Sequence, residues 1–458
     1  MNWVAEEAGT TNIGDVRLNK RLGNLLNKLD QDHNKTIPGA CNTWSETVAA
    51  YRFFDNEKVT PDKILSSHID ATQKRSAKEA VILHIQDTSE FNYSHRMELD
   101  TLGPLSRIGE QGFHIHPTLA VTPERVCLGL VNNHYWVRDE LGKREKRSSK
   151  PIEEKESFRW LESFRASNKV AEQLPDTHIV NISDREGDIY EMFIEVSKEE
   201  LIPKADWLIR ASQDRLLQGT DAKLKEKVKS LDLIGTVEFE ITRDKKSKRQ
   251  ARKVIQEVRA GKVTLSPPAR PNIKLLPVEI NIVYCMEINP PEGEDAIEWI
   301  LMTSVDIKNQ ERALEIIQWY LCRWQIELFF KILKSGCEIE KLQLQNFNRI
   351  INCLSLYMIL AWRTLYITMI GRAYPKIKCN AIFSEDEWKA VYVVFTQKKP
   401  PKTPPALGAM INMLGAFGGH LGRKHDGPPG IKSIWIGLQR MHDFSLAWQI
   451  MQTLPASS

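Results

Sequence analysis

The sequence predicts an α/β protein in which a mixed β-sheet, interrupted by a β-rich insertion, is flanked by helical N- and C-terminal domains. Three observations lead to this fold class. Between residues 80 and 211, runs of strand length alternate with helical periodicity in the order β-β-β-α-β-α-β, which is typical of a mixed sheet covered by helices. Residues 1–75 have helical periodicity alone. Residues 212–297 hold short β-like stretches separated by prolines and a basic run.

The helical N-terminal domain, residues 1–75, is expected to consist of short helices separated by turns. Gly14-Asp15 opens the helical run Val16–Leu29. Aromatic side chains are available for a small core, namely Trp44, Tyr51, Phe53 and Phe54. These features fit a compact helical N-terminal module.

The sheet domain, residues 76–372, begins with strands separated by helices. In chain order the predicted elements are the strands Ala80–Gln86, Gly112–Val121 and Val126–Val137, the helix Lys150–Leu174, the strand Thr177–Ser183, the helix Asp188–Glu200 and the strand Trp207–Ala211. Two of these strands end directly before an aspartate, Asp87 in one case and Asp184 in the other. Carboxylates therefore follow two strands of one sheet.

The insertion and the C-terminal part contain the remaining elements. They are the β-like stretches Val237–Thr242, Val263–Leu265 and Val278–Met286, the strand Trp299–Ser304, the helices Asn309–Ser335 and Leu354–Ile370, the Gly-rich loop Gly415–Gly430 and the amphipathic segment Ile434–Met451. We assign residues 373–458 to a helical C-terminal dimerisation domain. The final segment carries more large apolar side chains than its own length can hide: Trp435, Leu438, Met441, Phe444, Leu446 and Trp448.

The composition is that of an ordinary globular protein. The chain has 458 residues, of which 42% are hydrophobic and 27% charged, with a mean hydropathy of −0.37. The longest apolar run, Cys353–Trp362, is half the roughly 20 residues that span a bilayer. The sequence therefore predicts a cytoplasmic protein without a membrane partner. Seven cysteines without a C-x-x-C pair indicate reduced, mostly buried thiols.

Charge is distributed unevenly along the chain. The net charge is only +4, yet residues 241–274 carry eleven Lys and Arg against two acidic residues. Residues 1–70 carry eight Lys and Arg against ten Asp and Glu. The basic run would suit a polyanion such as nucleic acid, and it would equally suit a solvated basic hairpin without a partner.

A helix near residue 325 carries a stripe of polar side chains. Tyr320, Arg323, Glu327, Lys331 and Lys334 fall within an arc of roughly 80° at about 100° per residue. A second face, suited to packing against a sheet, holds Leu321, Trp324, Leu328 and Ile332. A solvated helix with i, i+4 ion pairs is the ordinary interpretation. One carboxylate among cations also suits a metal ligand surrounded by phosphate contacts.

Three acids are candidate metal ligands. Asp87, Asp184 and Glu327 would supply the hard oxygen atoms that Mg²⁺ or Mn²⁺ prefers, and two such ions promote in-line phosphoryl displacement. His114 and His116 share a strand face, but no third ligand accompanies them in the sequence. A histidine metal site is therefore not favoured.

These residues carry a family resemblance. The motifs are Asp87-Thr88, the run Ser183-Asp-Arg-Glu-Gly-Asp-Ile-Tyr190 and the spacing Y-x2-R-x3-E-x6-K from Tyr320 to Lys334. They resemble the signature of cut-and-paste DDE transposases of the insertion-sequence-four group. Further similar segments are Ala50–Phe53, Glu287–Pro291 and Leu414–Gly419. The resemblance covers essentially the whole chain.

The resemblance implies an RNase H-like catalytic core. In such a core Asp87, Asp184 and Glu327 would hold two Mg²⁺ ions, with Mn²⁺ as a substitute. It further implies a transposase that nicks DNA at the end of a mobile element, forms a hairpin, reopens it and joins the 3′ ends to target DNA. One site would perform all four steps, since each is the same phosphoryl transfer with a different nucleophile.

The resemblance also implies contacts with double-stranded DNA. The residues expected to hold phosphates near the transposon end are Tyr320, Arg323, Lys331, Lys334 and Arg210. Trp299 matches a tryptophan that stacks on a base flipped out of the duplex, whereas a tryptophan at the start of a strand is ordinarily a core residue. The expected partners are transposon ends, target DNA and a second subunit in a synaptic complex, with the protein nucleoid-associated when it acts.

Two other functions are compatible with the same residues. One is a structure-selective DNA nuclease without strand transfer, and the other is a non-catalytic DNA-binding inhibitor of transposition. The complete set of acids and the basic stripe disfavour the inhibitor. Terminal inverted repeats beside the reading frame would favour transposition over plain nuclease action.

Overall fold

The computed structural model describes residues 3–31, 37–41, 43–96, 99, 101–138, 151–195, 204–241, 250–270 and 274–453. The described strands are β1 Val81–Gln86, β2 Ser89–Asn92, β3 Gly103–Pro104, β4 Gln111–Val121, β5 Cys127–Trp136, β6 His178–Ser183, β7 Asp206–Arg210, β8 Asp232–Ile241, β9 Arg252–Leu265, β10 Val278–Glu287 and β11 Glu298–Thr303. The described helices are α1 Trp3–Ala8, α2 Val16–Gln31, α3 Ile37–Ala40, α4 Trp44–Phe54, α5 Pro61–Ser76, α6 Phe158–Gln173, α7 Tyr190–Glu195, α8 Leu224–Lys229, α9 Gln310–Leu321, α10 Trp324–Lys331, α11 Phe347–Ala373, α12 Glu385–Thr396, α13 Leu407–Phe417 and α14 Ile431–Thr453.

All described strands belong to one mixed sheet. Its order is β2-β4-β1-β6-β7-β11-β10-β9-β8, and β3 and β5 also pair with β4. β6 pairs in parallel with β1 on one side and β7 on the other, whereas the other pairs are antiparallel. In the β1/β6 register Ile85 lies opposite Ile182, so Asp87 and Asp184 leave the sheet at the same edge. The predicted fold class is confirmed.

The β-rich insertion extends this sheet. β8, β9 and β10 form an antiparallel extension that continues through β11 into β7. β9 is much longer than the predicted Val263–Leu265, and its buried residues Val254, Gln256 and Val258 alternate with more exposed neighbours. Period-two alternation was present in the sequence, but the charged outer face obscured it.

The described part of the basic run is largely paired with carboxylates. The ion pairs are Arg252 with Glu287 and Glu294, Lys253 with Glu238, Lys262 with Asp306 and Arg270 with Glu191. Of the eleven predicted cations, six are described, and the other five lie in residues 242–249, outside the described residues. The cations on β9 therefore match the interpretation of a solvated hairpin.

α11 is the central helix of the core. By length and composition it could cross a membrane, but 89% of its most apolar window is buried inside the protein. It packs against β5, α5 and α13, and the side-chain amide of Asn352 donates to the carbonyls of Phe54 and Val59. The apolar run Cys353–Trp362 is therefore a core segment. All seven cysteines are free and buried, as predicted.

The N-terminal helices share this core. His68 on α5 bonds through Nδ1 to Glu7 at 2.5 Å, and its Nε2 accepts from the backbone N–H of Leu130 at 3.1 Å. Arg75 pairs with Glu7 at 2.6 Å and lies over the ring of Trp362. These contacts connect α1, α5, β5 and α11. Because the described N-terminal helices and the sheet share contacts, the structure shows no separation at residues 75/76. The domain boundaries at residues 75/76 and 372/373 remain a prediction.

Two helical predictions were incomplete. The single helix Asn309–Ser335 is split into α9 and α10 by a tight turn at Cys322-Arg323 and continues beyond Lys331 as a π-helical turn, Ile332–Gly336. α12 and α13 were not predicted. α13 is apolar on nearly all sides and lacks the periodicity that identifies a surface helix, whereas α12 begins with a Ser384/Glu387 capping box that the sequence does contain.

Candidate active site at the ends of β1 and β6

The three predicted acids lie at the ends of three elements of the core. Asp87 follows β1, and its Oδ1 accepts the backbone N–H of Thr88 at 2.7 Å. Asp184 follows β6 and accepts the backbone N–H of Glu186 at 2.8 Å, as the N-cap of a short 3₁₀ turn. Glu327 lies in the first turn of α10, which packs against β1. Three different elements therefore deliver carboxylates to one edge of the sheet.

Arg323 joins two of these acids. Its Nη1 donates to Asp87 Oδ2 at 3.0 Å, and its Nη2 donates to Glu327 Oε1 at 2.6 Å. Arg323 lies in the turn before α10, one helical turn before Glu327, which is the spacing that the polar stripe predicted. The guanidinium is therefore held between a strand end and a helix start.

The acids crowd negative charge at this edge. The pKa of Asp87 is raised to about 7, first by burial and then by the charges of Asp184 and Glu327, whereas Arg323 and the N–H of Thr88 act in the opposite direction. An ionised Asp87 is therefore costly without a compensating cation. Mg²⁺ and Mn²⁺ prefer carboxylate oxygens as ligands, and either ion would compensate the negative charge of these acids.

The arrangement fits divalent cations only after a local change. Among the described residues, no three His, Cys, Asp or Glu side chains converge closely enough to hold one ion. The guanidinium of Arg323 lies between Asp87 and Glu327, where it compensates the carboxylates that an ion would share. The three acids therefore suit a metal site by their chemistry, provided that Arg323 moves aside.

A second cluster lies beside the acids, at β7 and β11. Arg210 donates to the carbonyl of Glu298 at 3.0 Å and bonds to the side chain of Tyr320. Burial raises the pKa of Tyr320. Trp299 stacks on Phe239 at 5.1 Å between ring centroids and meets Tyr320 edge-on at 5.7 Å. Three of the predicted DNA-contacting residues, Arg210, Trp299 and Tyr320, are thus brought together.

The two lysines of the stripe do not join that cluster. Lys331 is exposed at the end of α10. Lys334 is half-buried in the π-helical turn, with its ammonium 5.2 Å from the ring of Phe91, and burial lowers its pKa while Glu340 and Glu90 raise it. The predicted stripe assumed one continuous α-helix, which the turn at Cys322-Arg323 and the π-helical turn interrupt.

The predicted apolar face of this helix was wrong in one respect. Trp324 is 51% exposed, whereas the buried residues of α10 are Gln325, Ile326, Phe329 and Phe330. The tight turn before α10 rotates the helix relative to α9, so the two halves do not bury a common face. An exposed tryptophan therefore stands next to Arg323.

Sequence reasoning missed several residues around the acids. Asp188 is buried, pairs with Arg215 and accepts the backbone N–H groups of Ser212 and Gln213. It thereby anchors the start of the insertion, and its place in the Asp184–Tyr190 motif was a usable signal. Gly187 lies against the side chain of Ser183, which leaves no room for a Cβ atom.

Arg159 gave no sequence signal at all. It lies on α6, 27 positions before Glu186, to which it donates at 2.8 Å, and it donates to Thr88 Oγ1 at 2.9 Å. His116 bonds to the same Thr88 hydroxyl at 2.9 Å, whereas His114 bonds to Glu90 at 3.2 Å. The two histidines have separate partners and form no metal pair.

Comparison with known proteins finds family models over three parts of the chain. They are transposase DNA-binding at residues 1–59, transposase DDE domain at residues 199–362 and transposase Tn5 dimerisation domain at residues 359–451. The DDE match includes Glu327 but begins after Asp87 and Asp184. The fold and these matches indicate a DDE transposase. More particularly, the three matches together point to a Tn5-like DDE transposase.

One similar solved structure is the synaptic complex of piggyBac transposase with hairpin DNA. The sequence identity is 8% and the TM-score is 0.32. The similarity covers 86% of this chain and 59% of the other, so this chain spans less than two thirds of that transposase.

We expect Asp87→Asn to flatten the pH dependence of stability in the metal-free, DNA-free protein. The pKa of Asp87 in the folded protein is about 7, whereas the ordinary pKa of an aspartate is 3.8. The folded state therefore holds this proton more tightly than the unfolded chain. This stabilisation is complete below about pH 4 and is lost as the pH rises through about 7.

Urea unfolding in EDTA at pH 5 and pH 8 measures this effect. The wild type should lose about 2 to 3 kcal/mol more than Asp87→Asn between these values. Asp176→Asn, which changes an exposed aspartate before β6, should behave as the wild type. Equal slopes for Asp87→Asn and the wild type would contradict the assignment of a raised pKa to Asp87.

Proposed function

We propose that this DNA transposase performs metal-dependent phosphoryl transfer on DNA at Asp87, Asp184 and Glu327. The observation that carries the proposal is the placement of three acids from β1, β6 and α10 at one edge of the sheet, with the pKa of Asp87 raised to about 7. Two Mg²⁺ ions, or Mn²⁺ in their place, would supply activation of the attacking oxygen and stabilisation of the leaving one. The three carboxylates are the groups that would hold them.

Arg323 would change partners when DNA binds. In the DNA-free protein its guanidinium is shared between Asp87 and Glu327. A DNA phosphate offers two anionic oxygen atoms in the bidentate geometry that a guanidinium prefers, so it competes for this guanidinium. Transfer of Arg323 to a phosphate would free both carboxylates, which couples DNA binding to completion of the site.

The proposed reaction sequence has four steps. Water nicks one strand at the end of the mobile element, the freed 3′-hydroxyl attacks the opposite strand to form a hairpin, water reopens the hairpin, and the 3′-hydroxyl then joins target DNA. Arg210, Tyr320, Arg323, Lys331 and Lys334 would contact the backbone of the DNA end. Hairpin formation requires a sharply bent strand, and Trp299 would stack on the base that this bend displaces.

Glu327→Gln and Asp184→Asn are expected to abolish cleavage of a duplex that carries the terminal repeat of the element. Each change removes an anionic ligand, whereas end binding should stay within about tenfold, because phosphate contacts dominate DNA affinity. Glu315→Gln is a matched control, since it removes an ion pair with Arg312 on the surface of α9.

Gel shift measures binding, and gel electrophoresis measures cleavage with Mg²⁺, Mn²⁺, Ca²⁺ or EDTA. Cleavage should require Mg²⁺ or Mn²⁺ and fail in Ca²⁺, whose larger coordination sphere fits in-line geometry poorly. An active Glu327→Gln protein, or cleavage in EDTA, would contradict the assigned site. Cleavage without strand joining would indicate the nuclease alternative.

Trp299→Ala should permit the first nick and slow hairpin formation. Stacking contributes about 1 to 3 kcal/mol per base, which corresponds to a second step that is about 5-fold to 160-fold slower. Trp324→Ala is the control, because it removes an exposed tryptophan from the neighbouring helix. Nicked, hairpin and blunt species separate on denaturing gels, and an equal loss of all three would assign Trp299 to the core.

The C-terminal helices would join two subunits. Trp435, Leu438 and Met441 of α14 are buried within this chain. For these three residues, the prediction of apolar side chains left over for a second subunit was wrong. Leu446 and Ile450, on the last turns of α14, are exposed. These side chains lie in the segment that matches a dimerisation domain, and we assign them to a contact with a second subunit.

Combined Leu446→Glu and Ile450→Glu changes should leave single-end binding intact and eliminate paired-end complexes and double-strand cleavage. Two buried carboxylates at an interface between copies cost several kcal/mol, whereas on a solvent-exposed surface they cost little. Gln452→Glu adds a charge to the same exposed end of α14 and serves as the control. Normal paired-end complexes in the double variant, measured by gel shift, would refute this role of α14.

A further inference from the structure

One buried guanidinium connects the two loops that carry the catalytic aspartates. Arg159 Nε donates to Thr88 Oγ1 at 2.9 Å, and Arg159 Nη2 donates to Glu186 Oε2 at 2.8 Å. Thr88 directly follows Asp87, and Glu186 lies two residues after Asp184. Arg159 thus reaches both strand ends from α6.

Each loop is in turn bonded to its aspartate. The backbone N–H of Thr88 donates to Asp87, and the backbone N–H of Glu186 donates to Asp184. A displacement of Thr88 or Glu186 would therefore move the carboxylate that its N–H holds. Arg159 acts on both acids through these two residues.

The direction of the hydrogen bonds in this cluster has one solution. Gln86 Oε1 only accepts, so Nε2 of His116 carries a proton and donates to it at 2.8 Å. Burial lowers the pKa of His116 and keeps the ring neutral, so its Nδ1 accepts from the Thr88 hydroxyl at 2.9 Å, and that hydroxyl oxygen accepts from Arg159. The amide of Gln86 then donates to Asn181 Oδ1 at 2.5 Å. The cluster therefore links the last residue of β1 to β6.

Burial and aromatic rings hold the cluster in this arrangement. The guanidinium of Arg159 lies 5.2 Å from the ring centroid of Trp136 and 5.5 Å from that of Trp160. His116 is fully buried and meets Trp160 edge-on at 4.5 Å. A planar guanidinium can make two divergent bonds while it packs against rings, whereas a lysine ammonium offers a single point of charge.

We propose that Arg159 and His116 are positioning residues that hold Asp87 and Asp184 in the mutual geometry needed to bind divalent ions and cleave DNA. This inference rests on the proposed function of the three acids. Neither residue takes part in the chemistry. Partners that orient metal ligands in this way typically change metal affinity or activity about 10- to 100-fold when they are removed.

Arg159→Lys tests the inference, with Mn²⁺ as the probe. Electron paramagnetic resonance of free Mn²⁺ gives its affinity for the complex of the protein with a pre-cleaved terminal-repeat duplex, in which Arg323 has left the acids, and we expect this affinity to fall about 10- to 100-fold. The apparent Mn²⁺ constant for cleavage should rise by a similar factor, and saturating Mn²⁺ should restore most of the rate. Single-end DNA binding should stay unchanged.

Arg165→Lys is the matched control. Arg165 lies on the same helix and pairs with Glu195 at 2.6 Å, away from the strand ends, so its replacement should leave Mn²⁺ affinity at the wild-type value. If Arg159→Lys fails to fold, Thr88→Val takes its place, because it preserves the side-chain shape and removes the hydroxyl that Arg159 and His116 share.

Two results would overturn the inference. One is wild-type Mn²⁺ affinity in the folded variant. The other is a loss of cleavage that saturating Mn²⁺ does not restore, together with a lower unfolding midpoint, which would indicate a purely structural role. The variant Asp184→Asn distinguishes failure of this inference from failure of the proposed function. If Mn²⁺ binding survives Asp184→Asn, the proposed function is contradicted. If Asp184→Asn abolishes Mn²⁺ binding and Arg159→Lys preserves it, only the inference is contradicted.

Discussion

The parallel pairing of β1 with β6 is the constraint on which the rest of the site depends. Its register places Asp87 and Asp184 at one edge of the sheet, at the carboxyl ends of neighbouring strands. Burial and the neighbouring carboxylate of Asp184 both disfavour an ionised Asp87, and the raised pKa of Asp87 records that cost. The surrounding elements supply positive charge and hydrogen bonds that make this arrangement tolerable.

Two arginines compensate the acids from different directions. Arg323 comes from the turn before α10 and bonds to Asp87 and Glu327 directly, whereas Arg159 comes from α6 and holds the loops that contain the aspartates. The first lies where DNA and metal ions would bind and can exchange its partners. The second is buried between tryptophans and fixed. Arg323 is thus suited to release the acids, and Arg159 is suited to hold the loops that carry them.

The remainder of the fold gives this edge a rigid base. α11 is buried along most of its length and joins the sheet to the N-terminal helices, through contacts that include Asn352 and the Glu7, His68 and Arg75 cluster. The insertion lengthens the sheet beyond β11, so that Phe239 of β8 stacks on Trp299. The tryptophan proposed to receive a base is therefore covered by a residue of the insertion.

The sequence by itself determined the features that depend on local spacing. Strand ends before Asp87 and Asp184, the one-turn separation of Arg323 and Glu327, the mixed-sheet order and the helical ends follow from short-range periodicity, and the structure has all of them. Tertiary structure decided the rest. The approach of Arg159 to Glu186 joins residues 27 positions apart, and the separation of Lys334 from the stripe follows from two local breaks in a helix. The burial of α12 and α13 depends on neighbours that only the folded chain supplies. Such contacts leave no periodic signal, because they are set by how whole elements pack and not by the spacing within any one of them.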